Sequence, residues 1–177
     1  MIYIEQFEFL SRPQFSYGQF CSVVGRNKNS TRSWLKDHLK ENIGYKNKVT
    51  NRMLFSGLDA ILTKIFAHLV MNLSTPPGSA KLITLAARNR IKKLMLLDEP
   101  GSMKAQKSPT FMVIDSVNEK SGQGHGAVTT RQVMKILEAS EVPLIVLPID
   151  RLFWQTRGQV IELAIKEKIL PEGTKIG

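Results

Sequence analysis

The stretch SYGQFCSVVGRNKNSTRSWLKDHLK, residues 16–40, decides how the rest of the chain is read. Over residues 16–24 the side chains Phe20, Val23 and Val24 fall at i, i+3 and i+4, the spacing of one apolar helix face. Gly25 follows, at a place where the left-handed backbone that ends a helix suits glycine best. RNKNS is a polar turn. Residues 30–40 predict a second helix, with Ser30 or Thr31 near its start as a cap. Trp34, Leu35 and His38 give that helix a narrow inward face. The spacing therefore predicts two short helices joined by a tight turn.

Working outward, residues 1–10 alternate Tyr3, Phe7 and Phe9 with acids, which predicts a short strand or a docking arm. Residues 41–54 set Gly44, Asn47 and Asn51 among basic residues and predict a small hairpin. Residues 56–73 predict a long helix. Ser56 and Asp59 form a capping pattern, and Leu58, Ile61, Leu62, Ile65, Phe66, Leu69, Val70 and Leu73 repeat at helical spacing. That stripe is wide enough to predict a dimer surface in addition to core. Thr75-Pro76-Pro77-Gly78 ends the helix. Ser79 caps a further predicted helix running to about Leu97, followed by a polar linker at 101–109. Beyond it, strands at 109–115 and 142–149 alternate with helices at 129–140 and 158–170, and 119–127 is a glycine-rich loop. This β-α-β-α order predicts a small α/β unit.

The 177 residues are 42% hydrophobic and 23% charged, which excludes a chain disordered throughout. No run approaches the ~20 apolar residues of a membrane span. MIYIEQFEFL has two acids and no basic start, so a cleaved secretory signal is not expected. The single cysteine, Cys21, fits a reducing compartment, and no metal or cofactor is expected. The informative quantity is charge: 25 Lys and Arg against 15 Asp and Glu, a net +10. Residues 1–64 carry ten basic and five acidic residues, 65–109 seven and two, and 110–177 eight of each. The excess lies in the front of the chain, and nucleic acid is the expected partner.

Helix, tight turn, helix, basic hairpin and long amphipathic helix is the layout of a winged helix-turn-helix DNA-binding domain. A helix entering a major groove needs short polar and basic side chains at its start. Lys28, Asn29, Ser30, Thr31, Arg32 and Ser33 meet that need, with Lys36 farther along. Trp34 and Leu35 would hold the helix on the first one. Tyr45, Lys46, Asn47 and Lys48 would form the wing. Arg26, Lys28, Lys46, Lys48 and Arg52 would neutralise phosphates. Arg88, Arg90, Lys92 and Lys93 form a second candidate phosphate surface.

Residues 15–73 resemble the DNA-binding region of MerR-type regulators and the related excisionase-like winged helices. The resemblance rests on Gly25, Ser30, Arg32 and Trp34, and on Asn51-Arg52-Met53-Leu54-Phe55-Ser56-Gly57-Leu58-Asp59. It covers about a third of the chain. It departs from the family where Ser33 and Trp34 replace paired aromatics, and where Pro76-Pro77 interrupts the helix that would continue as a coiled coil.

The expected fold is α+β: a winged helix-turn-helix over 1–75, a basic helix and linker over 76–108, and a small α/β oligomerisation or effector unit over 109–177. The expected function is a non-enzymatic, cytoplasmic, nucleoid-associated transcriptional regulator, a repressor binding palindromic or repeated double-stranded operator DNA as a homodimer. One alternative is a partition or replication accessory, or an excisionase-type recombination factor. Another is a nuclease or recombination enzyme with catalysis in the back unit. For that one, Asp115 and Asp150 at strand ends and Gly122-Gln123-Gly124-His125-Gly126 are the residues to watch.

Overall fold

The computed structural model describes residues 3–96, 110–115, 125–141, 144–172 and 174–176. The two-residue strand β1 (Tyr3–Ile4) leads into helix α1 (Gln6–Ser11). The expected strand or arm is therefore mostly helix. Gln6, Phe9 and Leu10 are buried at i, i+3 and i+4, a period that overrides the apparent alternation of Phe7 and Phe9.

Helix α2 (Tyr17–Val24) opens on a capping box. The Ser16 amide donates to Gln19 Oε1 at 2.8 Å, and the Gln19 amide returns a bond to Ser16 Oγ at 3.4 Å. Gly25 ends it with φ +71°. Helix α3 (Lys28–Trp34) starts earlier than Ser30 or Thr31 would allow, because Asn27 is the cap: its Oδ1 accepts the Ser30 amide at 2.8 Å. A π-helical turn, Leu35–Leu39, extends α3. Strands β2 (Tyr45–Lys46) and β3 (Met53–Leu54) form the predicted antiparallel hairpin. Phe55, just beyond it, exchanges both backbone hydrogen bonds with Phe15 at 2.9 Å and so ties the hairpin to the segment before α2.

Helix α4 (Gly57–Asn72) begins at the predicted box: the Ser56 amide donates to Asp59 Oδ2 at 2.8 Å and the Asp59 amide to Ser56 Oγ at 3.0 Å. Helix α5 (Pro77–Met95) starts two residues before Ser79, on a proline whose missing N–H is no loss in the first turn. Then come β4 (Thr110–Asp115), β5 (His125–Thr129), α6 (Thr130–Ala139), β6 (Leu144–Leu147), α7 (Ile149–Lys166) and β7 (Lys175–Ile176). The back unit is thus β-β-α-β-α-β. His125 and Gly126, read as loop, are in strand β5. The sheet runs β5-β4-β6 with both pairings antiparallel, and β7 pairs in parallel with β1. Helix α7 starts nine residues before the predicted one. The linker 101–109 and the loop glycines Gly122 and Gly124 lie outside the described residues.

Helix α4 is the centre of the molecule, packed by α5, α7, α2 and α1. Its Ile61, Leu62, Ile65, Phe66 and Leu69 are fully buried within this one chain. Each such side chain contributes about 1.5–3 kcal/mol by leaving water. Most of the stripe is therefore core of this one chain, covered by α5 and α7, while Val70 is half-buried and Leu73 stays exposed at its end. The same cluster takes in Met112, Ile114 and Leu147 from the sheet and Phe153, Val160 and Leu170 from the end of the chain. Polar side chains pin the layers together. Gln6 Nε2 donates to the carbonyls of Leu94 and Met95, at 3.2 and 2.9 Å, where α5 runs out of internal partners. Arg157 on α7 donates to Gln6 Oε1 and, at 2.8 Å, to the carbonyl of Ile176. Among the described residues no helix is long and apolar enough to cross a membrane.

Candidate nucleic-acid interface

Two inward residues orient α3. Thr31 is fully buried, and its hydroxyl donates to the Asn27 carbonyl at 3.0 Å. Trp34, half-buried, meets the Phe66 ring edge-on at 5.7 Å, and His38 stacks on the same ring at 5.9 Å. With these facing α4, the opposite side of the helix is left to solvent. Lys28, Arg32 and Lys36 follow one another there at four-residue spacing, about 6 Å apart along the axis. Asn29 and Ser33 are exposed beside them. The Ser33 hydroxyl donates to Asp37 at 2.8 Å, so this flanking acid already has a partner.

Tyr17 couples the two helices. Its hydroxyl donates to the Lys28 carbonyl at 2.5 Å, and the Arg32 guanidinium lies 5.8 Å from its ring centre. Burial, with Cys21 beside it, pushes the Tyr17 phenol up to about 12, so it stays a donor at physiological pH. Tyr17 went unremarked in the sequence because a tyrosine at a helix start signals nothing by itself.

The hairpin is organised by its asparagines. Asn47 Oδ1 accepts the amides of Val49 and Thr50, both at 2.9 Å, and Asn51 takes φ +57°. Tyr45, Lys46, Lys48 and Arg52 are all exposed, and Val49 at the tip is 93% exposed. A groove of about 510 Å³ separates the hairpin from α3. Arg32, Lys36 and Lys40 line it from the helix side and Met53 from the hairpin side, so the two basic elements border one surface. Lys40 belongs to this set and was not picked out from the sequence.

Other expected residues fall elsewhere. Thr31 is buried and cannot reach a base edge. Arg26, in the turn, is exposed but lines a different recess with Lys64, His68 and Asn72. Burial, and then the charge of Arg26, holds the Lys64 ammonium below its ordinary value; burial also lowers His68. Lys64 Nζ donates to the Val23 carbonyl at 3.3 Å and to Gln159.

The cluster on α5 is not one phosphate surface. Arg90 turns inward, its Nη2 lying 3.2 and 3.1 Å from the two oxygens of Asp150, which is 2% exposed. Arg88 is half-buried, with its Nε enclosed and its charge near Asp59. Lys92 and Lys93 remain exposed. The strand-end argument for chemistry fails with them: it belongs to parallel sheets, this sheet is antiparallel, and Asp150 is held in an ion pair. The side chain of Asp115 lies outside the described residues.

What the surface offers is a row of exposed cations and short polar groups on one helix, beside a basic hairpin. Neither a model of a known protein family nor a curated protein matches the chain, so the functional reading of this surface rests on its own geometry.

Proposed function

We propose that this chain is a sequence-specific DNA-binding protein acting as a transcriptional regulator. In this reading α2, the Gly25 turn and α3 are a helix-turn-helix, α3 reads the major groove, and the β2–β3 hairpin is its wing. The observation that carries it is the exposed row Lys28, Asn29, Arg32 and Lys36 on α3 and its π-helical extension, of which Arg32 and Lys36 line the groove beside the hairpin, with Thr31 and Trp34 turned inward. The order of elements, with Phe15 bridging Phe55 across the base of the hairpin, supports it as well. Val49 at the hairpin tip suits an apolar contact in a minor groove. Lys28, Lys36, Lys46, Lys48 and Arg52 supply the phosphate contacts, and Arg32 meets a base edge. Five such phosphate contacts correspond to a slope of about −4.5 in log affinity against log salt.

The test is selection of bound duplexes from a random pool at about 150 mM salt, which suppresses phosphate-only binding. A repeated or palindromic motif is expected, and its half-site spacing reports whether a homodimer binds. Arg32→Ala should lower affinity for the selected site by roughly 1–3 kcal/mol while the thermal transition stays in place. Enrichment without any motif, or an Arg32→Ala protein that binds like wild type, overturns the reading.

A further inference from the structure

The groove between α3 and the hairpin has more to it than phosphate binding requires. Its floor is apolar, made by Tyr17, Leu35, Ile43 and Phe55, with Met53 at the hairpin edge. Its rim carries Arg32, Lys36 and Lys40 and no carboxylate. Among the described residues none of these three cations has an ion-pair partner. A volume of about 510 Å³ falls inside the roughly 300–1,000 Å³ of ordinary small-molecule sites. Phosphates of a duplex would meet the rim cations but leave the floor unfilled. A flat ring would bury that floor, and an anionic group on the ring would meet the rim.

We propose that this groove is a binding site for a small organic anion with a flat apolar body, of the aromatic carboxylate or sulfonate class, and that its occupancy excludes duplex DNA. Lys36 and Lys40 take the anionic group, and Tyr17, Leu35 and Met53, the apolar lining side chains that keep exposed surface, take the ring. An inorganic anion makes no use of the floor, and a neutral ring leaves the rim cations facing water. Arg32 and Lys36 serve both ligands, which makes the two mutually exclusive. The binding half of the proposal stands on the groove alone. The exclusion half rests on the DNA-binding reading.

The experiment is a fluorescence titration of the full chain with anilinonaphthalene sulfonate, an aromatic sulfonate that brightens in apolar surroundings. One saturable site is expected. Lys36→Glu with Lys40→Glu should weaken binding about tenfold or more, the loss of one charge-assisted contact or better. Lys92→Glu with Lys93→Glu changes the net charge equally on α5 and should leave the affinity as it was. Lys36→Gln with Lys40→Gln gives the same direction of change if the charge reversal disturbs folding. No saturable binding, an affinity indifferent to Lys36 and Lys40, or an equal loss in both lysine pairs overturns the site. The selected duplex is then added to the loaded protein and should displace the probe. Simultaneous binding of both overturns the exclusion and leaves the site standing. A protein that holds the probe but selects no duplex separates failure of the DNA reading from failure of this one.

Discussion

Removing Arg90 tests whether it is a structural or a DNA-facing cation. Its guanidinium lies 3.2 and 3.1 Å from the two oxygens of Asp150, whose side chain is 3% exposed. Breaking a buried ion pair from one side costs about 3–5 kcal/mol, because the remaining charge has left water without full compensation. Two features pull the value to the low end. The Arg90 side chain keeps 17% exposure, so water can follow it out. Asp150 also sits in the first turn of α7, where the helix dipole favours an anion by about 0.3–1 kcal/mol. Arg90→Ala should therefore lose about 3 kcal/mol. In urea the midpoint falls with an unchanged slope, and the thermal midpoint drops by roughly 6–12 °C for a chain of this size. Replacing both partners, Arg90→Met with Asp150→Leu, should recover most of the loss, since no charge is then stranded. A loss below about 1 kcal/mol, the range of a surface pair, refutes the reasoning. The salt slope of DNA binding should not change. A decrease of about 0.9 would mean that Arg90 meets a phosphate after all.

Gly25→Ala should cost roughly 1–2 kcal/mol by chemical denaturation, from backbone strain alone, because φ is +71° and no atom lies within 4 Å of an added Cβ. A loss well beyond that would mean the turn is packed rather than only bent. Burial holds the Asp59 carboxyl above its ordinary 3.8, against the lowering effect of its bonds with Ser56 and Gly44 and the charge of Arg88. The folded state thus keeps the proton longer than the unfolded one, so this contribution is full below 3.8 and is lost as pH rises through the raised value. Asp59→Asn keeps an acceptor for the cap and removes the titration. The stability of wild type relative to the variant should be greatest below pH 3.8 and shrink as pH rises through the raised value. A difference that stays constant across that range rejects the assignment.

Legibility followed the range of the interactions. The capping box at Ser56 and Asp59, the left-handed Gly25 and the asparagine-built hairpin are short-range chemistry, and each lies where its residues predict it. Partners distant in sequence were not legible. Nothing near Arg90 announces that Asp150, sixty positions away, will claim it. The outward row on α3 could be read from spacing, yet Thr31 within it is fully buried, its hydroxyl donating to the Asn27 carbonyl one turn earlier. The antiparallel sheet was missed because glycines hid β5: a short apolar stretch ending at Thr129 reads as loop until β4 is beside it.

The same distinction bears on how the surface works. Charge concentrates in the first 109 residues, whereas the core does not divide there: α7 packs on α2, α4 and α5. Surface charge is set by partners in solution and packing by neighbours in the fold, so the two need not share a boundary. The basic face of α3 is accordingly held in place by residues far from it. Phe66 on α4 seats Trp34 and His38, and Lys64 links α4 to the end of α2 and to Gln159 on α7. Tyr17 then fixes the start of α3 and braces Arg32. A helix fixed on both flanks has little backbone freedom left to lose when a ligand docks. Ordering a rotamer-rich side chain costs about 0.5–1.5 kcal/mol, and here that cost is confined to the lysine and arginine tips. In the proposed function, the long apolar helix α4 therefore contributes to recognition without touching a ligand. Substitutions that loosen the Phe66 contact should weaken binding even where every cation is kept.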